Sequence, residues 1–170
     1  MRDIVLDGES LKIRDVVETG LGKTIVSLSN KAREKMENSR LGINRILQSG
    51  ETTYGVNTGF GALSSVSIDS DKLEALQVNL IRSHACGVGE EMENKHTLMM
   101  MLIRANTLCR GNSGARPLIV DTLISMINHK ICPAIPRIGS LGASGDLAPL
   151  SHLAMGMMGE GFCYIMDEGG

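Results

Sequence analysis

A glycine-rich segment near the carboxyl end of the chain has the residue types needed to form an electrophile from its own backbone. Ala143, Ser144 and Gly145 follow one another there, and Asp146 comes next. If the nitrogen of Gly145 attacks the carbonyl carbon of Ala143 and two waters leave, an imidazolone ring forms. The former Cβ of Ser144 becomes its exocyclic methylidene carbon. Glycine permits so close an approach because it has no Cβ. The tripeptide therefore predicts a catalytic group that needs no external cofactor.

The same residues also fit a plainer structure. Small residues are common in loops, and Asp146 is a suitable N-cap for a helix that begins at Leu147. Taken alone, the tripeptide favours a flexible loop of this kind. We expect Asp146 both to cap the helix and to shape the loop for cyclisation. The amino end of that helix would stabilise negative charge that develops on the ring.

The segments around the tripeptide carry further motifs. They are YGVNTGFGAL (54–63), SHACGVGE (83–90), RANTLCRGNSGARPLI (104–119) and GSLGASGDLAPLSHLA (139–154). In this order they resemble the histidine and aromatic amino-acid ammonia-lyase family, and the resemblance covers essentially the whole chain. It implies a carbon-nitrogen lyase whose prosthetic group, 4-methylideneimidazol-5-one, forms autocatalytically from Ala143, Ser144 and Gly145.

The first of these motifs begins with Tyr54. A tyrosine before a glycine-rich loop is, without other information, more often a packed side chain with a satisfied hydroxyl. The resemblance implies instead that Tyr54 transfers a proton to or from the substrate, for which its ordinary pKa of about 10 must be lowered. It also implies that Gly55, Asn57, Gly59 and Gly61 shape a loop that folds over the substrate as a lid.

Ser83 and His84 form the second informative pair. By position alone, His84 is a residue at the end of a helix that interacts with the last-turn carbonyls. In the family, the two corresponding residues vary with the substrate ring: Ser-His in histidine lyases, His-Leu in tyrosine lyases and Phe-Leu in phenylalanine lyases. The resemblance thus implies that Ser83 and His84 bind the substrate, and that L-histidine is converted to urocanate and ammonia. His96, His129 and His152 have no such support and are interpreted as ordinary polar residues.

Other functions in the family stay open. A phenylalanine or tyrosine ammonia-lyase, or a 2,3-aminomutase, would use the same electrophile. In a different class, the chain would be an inactive truncated remnant that acts only as an assembly partner.

Parts of the family's active site have no counterpart in this sequence. An asparagine near the electrophile, a tyrosine and an arginine that hold the substrate carboxylate, and a glutamate lie further downstream in the lyases. We expect residues 1–170 to be one incomplete N-terminal domain that lacks the C-terminal two thirds of the family's sequence. Either a complementary chain supplies that part, or the sequence is a truncated product, and the resemblance also implies homologous subunits in a tetramer. The strand-like segment 161–166 would then pair with the complementary chain.

Composition and charge bound the remaining possibilities. The 170 residues are 42% hydrophobic, enough for one domain with a sizeable core, and the net charge is −2 with both signs scattered. This predicts neither a nucleic-acid partner nor an anionic membrane surface. The N-terminus lacks an apolar signal-peptide core, so we expect a cytoplasmic protein. Four widely spaced cysteines predict no metal site and no disulfide framework, but reduced, mostly buried thiols.

The expected architecture is mainly α, with short β hairpins and the glycine-rich active-site loop. Residues 3–13 predict a hairpin around Asp7 and Gly8. Predicted helices follow: one capped by Ser29 and ended by Gly50, one begun by an Asp71–Glu74 capping box and ended near His84, then 93–110, 117–130 and 147–158 with Gly159 as terminator. Residues 132–145 are predicted to be loop.

Overall fold

The fold is described from a computed structural model, which defines residues 1–50, 52–58, 70–140 and 147–166. In these parts of the chain, the helices are α1 (Ile13–Gly20), α2 (Asn30–Ser49), α3 (Ser70–His84), α4 (Asn94–Leu108), α5 (Pro117–Asn128) and α6 (Leu147–Met157). The strands are β1 (Arg2–Leu6), β2 (Thr24–Leu28), β3 (Val88–Glu91), β4 (Ile131–Pro133), β5 (Pro136–Ile138) and β6 (Cys163–Ile165). The expectation of a mainly α fold is confirmed.

The hairpin predicted around Asp7 and Gly8 is wrong. β1 pairs in parallel with β2, in register from Arg2 opposite Thr24 to Leu6 opposite Leu28, and α1 connects the two strands. Gly8 does form a turn with φ of +86°. The chain then enters α1 and not a second strand, because Asp15 accepts a hydrogen bond from the backbone nitrogen of Lys12 and starts the helix.

The other strand pairs also join distant segments. β3 pairs antiparallel with β5, and β4 pairs antiparallel with β6, so none of the described pairs is a hairpin between consecutive strands. β4 and β5 lie in the segment 132–145, for which a loop was predicted. Pro133 and Pro136 exclude a helix there, as expected, but they sit in short two-stranded sheets, where a proline is tolerated at an edge.

Local capping signals predicted the helices well. Oγ of Ser29 accepts a hydrogen bond from the backbone nitrogen of Ala32, and Gly50 ends α2 with φ of +71°. Pro117 is the first residue of α5, and Gly159, with φ of +78°, follows α6. α3 ends at His84 as predicted, but it begins before Asp71, which is therefore not the capping residue.

The core lies between α4, α5 and the parallel strands. The apolar side chains of α4 and α5 with no exposed surface are Leu98, Met101, Leu102, Ala105 and Val120. Ile4, Leu6 and Val26 close the core from the sheet. Asn128 extends the sheet by hydrogen-bonding both the N–H and the C=O of Val26 with its side-chain amide. The first half of the chain is thus tied directly to α5.

Two of the four cysteines do not match the expectation of buried thiols. Cys109 and Cys132 are buried, and burial raises the pKa of each thiol to about 11. Cys86 and Cys163 are exposed. All four are free thiols in the structure.

Candidate functional site

The predicted electrophile itself lies outside the described residues. This concerns Ala143, Ser144, Gly145 and Asp146, as well as Gly59 and Gly61 of the Tyr54 motif. The structure does describe both flanks of the tripeptide segment, from β5 to Ser140 on one side and from α6 onward on the other. The helix predicted to start at Leu147 is confirmed, with Pro149 in its first turn.

The two flanks are packed against the segment that follows Ser83 and His84. A Cβ placed on Gly139 would lie 2.8 Å from Cβ of Ala148 and 3.0 Å from Cα of Gly87. Neither distance leaves room for a methyl group. The chain before the loop, the first turn of α6 and the residues after α3 are thus held in direct contact. The structure thus brings the flanks of the predicted electrophile to Gly87, three residues after the predicted substrate-binding pair.

His84 is held by the last turn of α3. Its Nδ1 lies 2.8 Å from the carbonyl oxygen of Leu80, and Oγ of Ser83 lies 2.9 Å from the same oxygen and 3.1 Å from Nδ1. A carbonyl only accepts, so Nδ1 carries the ring hydrogen. In the neutral ring, Nε2 is then an acceptor, and no described residue hydrogen-bonds to it. His84 can therefore both close the last turn of α3 and bind a ligand, since Nδ1 holds the ring against Leu80 while Nε2 can accept a further hydrogen bond.

Tyr54 lies in a turn that Asn57 and Thr58 hold together. The carbonyl oxygen of Thr53 accepts hydrogen bonds from the backbone nitrogens of Val56 and Asn57. Oδ1 of Asn57 accepts one from the nitrogen of Thr53 at 2.8 Å. Asn57 and Thr58 are buried, whereas Tyr54 is 64% exposed. The loop-shaping role predicted for Asn57 has a structural basis, and the turn presents Tyr54 at the surface.

Gly55 contributes to the same turn by its backbone conformation. Its φ is +75°, which favours glycine, and its nitrogen lies 3.3 Å from Oγ1 of Thr58. Beside it is a cavity of about 580 Å³ between α2, α3 and the residues that precede α5. Its lining includes Gly55, Val56, Arg40 and Arg116, but neither Tyr54 nor His84. The described residues therefore do not place the tyrosine and the histidine in this cavity together.

His152 is a residue whose involvement sequence reasoning missed. It lies in α6, and its Nε2 accepts a hydrogen bond from the backbone nitrogen of Gly87 at 3.1 Å. Burial lowers the pKa of His152, which favours the neutral ring that can accept. The motif that contains it was noticed, but nothing in the local sequence indicates that the ring meets the segment after α3.

Two features are absent from the described residues: a cluster of metal-binding side chains and a membrane-spanning helix. No group of three or more histidine, cysteine, aspartate or glutamate side chains is placed to hold a metal ion there. Within the same ranges, no helix combines the length and the apolar character needed to cross a lipid bilayer.

Comparison with known proteins gives a consistent result. The family model for aromatic amino acid lyases matches residues 11–169. The histidine ammonia-lyase of Staphylococcus saprophyticus is 49% identical over 164 residues, which are 96% of this chain and 33% of that protein. The chain spans about a third of the length of the curated relatives it matches.

Solved structures of similar proteins share the fold of this chain. The histidine ammonia-lyase of Trypanosoma cruzi superposes with a TM-score of 0.87 at 39% identity, covering 98% of this chain and 31% of that one. The tyrosine aminomutase of Streptomyces globisporus gives a TM-score of 0.87 at 35% identity, covering 99% and 31%. The sequence match and the shared fold extend over nearly all of the chain, and it therefore belongs to the aromatic amino acid lyase family.

Proposed function

We propose that this chain is the electrophile-forming part of a histidine ammonia-lyase, which converts L-histidine to urocanate and ammonia. The observation that carries the proposal is the close approach of Gly139 both to Ala148 of α6 and to Gly87, which lies three residues after His84. The contact supports a site in which the electrophile and the substrate-binding pair are neighbours. Curated histidine ammonia-lyases at 49% identity support the choice of substrate.

The residue types fit formation of 4-methylideneimidazol-5-one, and no external cofactor is required. Ala143, Ser144 and Gly145 supply the carbonyl, the hydroxyl that is eliminated and the attacking nitrogen. Close packing of the flanks at Gly139 and Ala148 suits a constrained loop, because strained backbone persists only where its surroundings enforce it. Once formed, the group supplies an electrophilic carbon that promotes the departure of ammonia.

The chain's own side chains then have distinct roles. The unprotonated Nε2 of His84 accepts a hydrogen bond from the N–H of the substrate imidazole, while the bond of Nδ1 to Leu80 fixes the ring. Ser83 supports this orientation through its own contacts with Leu80 and His84. Tyr54 acts as the base that removes the β-proton of the substrate, on a turn that Asn57 holds in shape.

Activity requires groups that this sequence does not contain. The arginine that holds the substrate carboxylate in the family, together with the asparagine, tyrosine and glutamate, would come from a complementary C-terminal chain. Exposed apolar residues support such a completion: Val88, Ile138, Phe162 and Ile165 all lie on or beside β3, β5 and β6. We further propose homologous subunits in a tetramer and a cytoplasmic location, which is compatible with four free thiols.

Two other functions are alternatives to a histidine ammonia-lyase. The likeness to a tyrosine aminomutase supports a 2,3-aminomutase or a phenylalanine or tyrosine ammonia-lyase that uses the same electrophile. An inactive remnant that serves only as an assembly partner would keep the core and lose the chemistry. Incubation with histidine, tyrosine and phenylalanine separates these possibilities, since an aminomutase yields a β-amino acid and a remnant yields no product.

The experiment that tests the proposal is intact-mass analysis of the chain purified with its complementary chain. We expect the wild type to be lighter than its sequence by two water molecules, and the Ser144→Ala variant to have its full mass and to make no urocanate. Ser140→Ala is the matched control, because Ser140 is a nearby serine outside the tripeptide; this variant should still lose two waters. An active Ser144→Ala variant would end the proposal.

A further inference from the structure

One hydrogen bond connects α6 to the segment after the substrate-binding pair. Nε2 of His152 lies 3.1 Å from the backbone nitrogen of Gly87, three residues beyond His84. A backbone N–H only donates, so Nε2 of His152 must be unprotonated and its Nδ1 carries the hydrogen. The bond of His152 therefore needs a neutral ring, whereas the bond of His84 to Leu80 needs only the hydrogen on Nδ1 of His84.

The bond acts at a crowded point of the fold. A Cβ on Gly87 would lie 3.1 Å from Nε2 of His152 and 3.1 Å from Cβ of Pro136, and Cα of Gly87 touches the Cβ position of Gly139. Gly87 is thus enclosed by α6, β5 and the chain that leads to the electrophile. A side chain that holds its nitrogen also fixes the direction in which the chain leaves α3.

Two carboxylates lie near His152. Glu91 of β3 and Glu160, beyond α6, line the same cavity of about 210 Å³ as His152. Glu160 accepts two hydrogen bonds from Arg82 of α3, and Glu91 raises the pKa of Tyr164 in β6.

On β5, the guanidinium of Arg137 donates to the carbonyl oxygen of Glu91 and to the carboxylate of Glu93. The carboxylate of Glu160 is therefore engaged by Arg82. The Gly87 amide is the group that His152 binds among the described residues.

We propose that His152 is a positioning residue, which holds Gly87 against α6 and thereby sets the orientation in which His84 meets the substrate. The role of His84 toward substrate rests on the proposed function. The effect of His152 on the position of Gly87 and His84 does not, because it follows from the contacts of the chain itself.

The test compares His152→Leu with His152→Gln in the 170-residue chain. Leucine cannot accept a hydrogen bond, whereas the glutamine amide oxygen lies close to the place of Nε2. Two signals are measured by nuclear magnetic resonance: the protection of the Gly87 amide against hydrogen exchange, and the ring nitrogen shifts that report the hydrogen on Nδ1 of His84. His129→Leu is the control, since His129 bonds only the carbonyl of Ser125 at the end of α5.

We expect His152→Leu to lower the protection of the Gly87 amide about tenfold, which is the effect of one lost hydrogen bond. The ring nitrogen shifts of His84 should move toward the average of its two tautomers. His152→Gln should preserve both signals, as should His129→Leu. In the wild type, protection of Gly87 should fall as pH drops below 6.5, the ordinary pKa of histidine, and in the Gln variant it should not. Unchanged Gly87 protection and unchanged His84 signals in His152→Leu would overturn the proposal.

Kinetics of the chain assembled with its complement separate this proposal from the proposed function. His152→Leu should raise KM for histidine about tenfold while the loss of two waters persists, and His152→Gln should restore KM. A wild type that does not turn over histidine would refute the proposed function, and the magnetic resonance signals would still decide the role of His152. Normal kinetics in His152→Leu despite altered signals would contradict a part in orienting the substrate.

Discussion

Two helices of the same length, α4 and α3, are packed in opposite ways. α4 buries six residues, and five of them have no exposed surface: Thr97, Leu98, Met101, Leu102 and Ala105. The described side chains of α3 are half-buried or exposed, and α3 packs mainly on α6. α4 is stabilised from within the chain, whereas α3 carries the candidate site on a side that the chain covers incompletely. We infer that the core specifies the fold and that the site edge is completed by further contacts.

The largest expected effect is a loss of stability when the core helix α4 is altered. Leu102→Ala should lower the free energy of unfolding by about 2–5 kcal/mol, because it opens a cavity in fully enclosed packing. Leu80→Ala, in half-buried α3, should cost roughly 1 kcal/mol, since less apolar surface is lost. Urea unfolding followed by circular dichroism measures both. Equal losses would show that α3 is as well packed as α4.

At the site edge, the substitution of interest is His84→Leu. Turnover of histidine should fall by about 1–3 kcal/mol in transition-state terms relative to phenylalanine and tyrosine, because one hydrogen bond to the substrate ring is lost. The measurement is kcat/KM on the three amino acids with the complementary chain present. Equal losses on all three would show that His84 only closes the last turn of α3 through Leu80.

A smaller effect is expected where α2 begins. Ser29→Ala removes the acceptor for the nitrogen of Ala32 and should cost about 1 kcal/mol of stability. Asn30→Ala is a suitable control, since Asn30 is the exposed next residue and has no capping role. Thermal unfolding of both variants gives the comparison, and equal shifts in Tm would remove the role of Ser29 as a cap.

The smallest expected effect concerns pH. Asp7 accepts hydrogen bonds from the backbone nitrogens of Ser10 and Glu9, which lower its pKa from 3.8 to about 2. A lowered carboxyl pKa contributes stability above 3.8 that is lost as pH falls toward 2. Asp7→Asn should therefore be slightly less stable than the wild type at neutral pH, and the difference should fade between pH 4 and pH 2. Unfolding at a series of pH values checks this, and a constant difference would contradict it.

The sequence predicted those elements whose signals are local. Ser29 and Gly50 delimit α2, and Pro117 begins α5, because each of these residues acts on its own turn of helix. The roles of Tyr54, Ser83 and His84 come instead from the family resemblance, and they stay predictions. None of these predictions required knowledge of a distant contact.

The errors concern contacts between distant segments. Alternating Leu11 and Ile13 suggested a second strand, but the partner of β1 lies beyond α1, and Ile13 is 85% exposed at the start of that helix. The sequence predicts His152 to be an ordinary polar residue. Its bond to Gly87 joins α6 to the end of α3, and no local pattern indicates such a contact. Pairing and positioning of this kind depend on tertiary structure, which local propensity does not encode.

The most direct test of the account is a urocanate absorbance assay with the two parts of the enzyme. The 170-residue chain, a chain that carries the downstream two thirds of the family's sequence, and the two co-purified chains are each incubated with L-histidine. We predict urocanate only from the co-purified pair, because under the proposed function the second chain would supply the groups that hold the substrate carboxylate, and positioning provides much of the rate. Robust urocanate formation by the 170-residue chain alone would contradict the account, and failure of the two chains to bind would favour the inactive remnant.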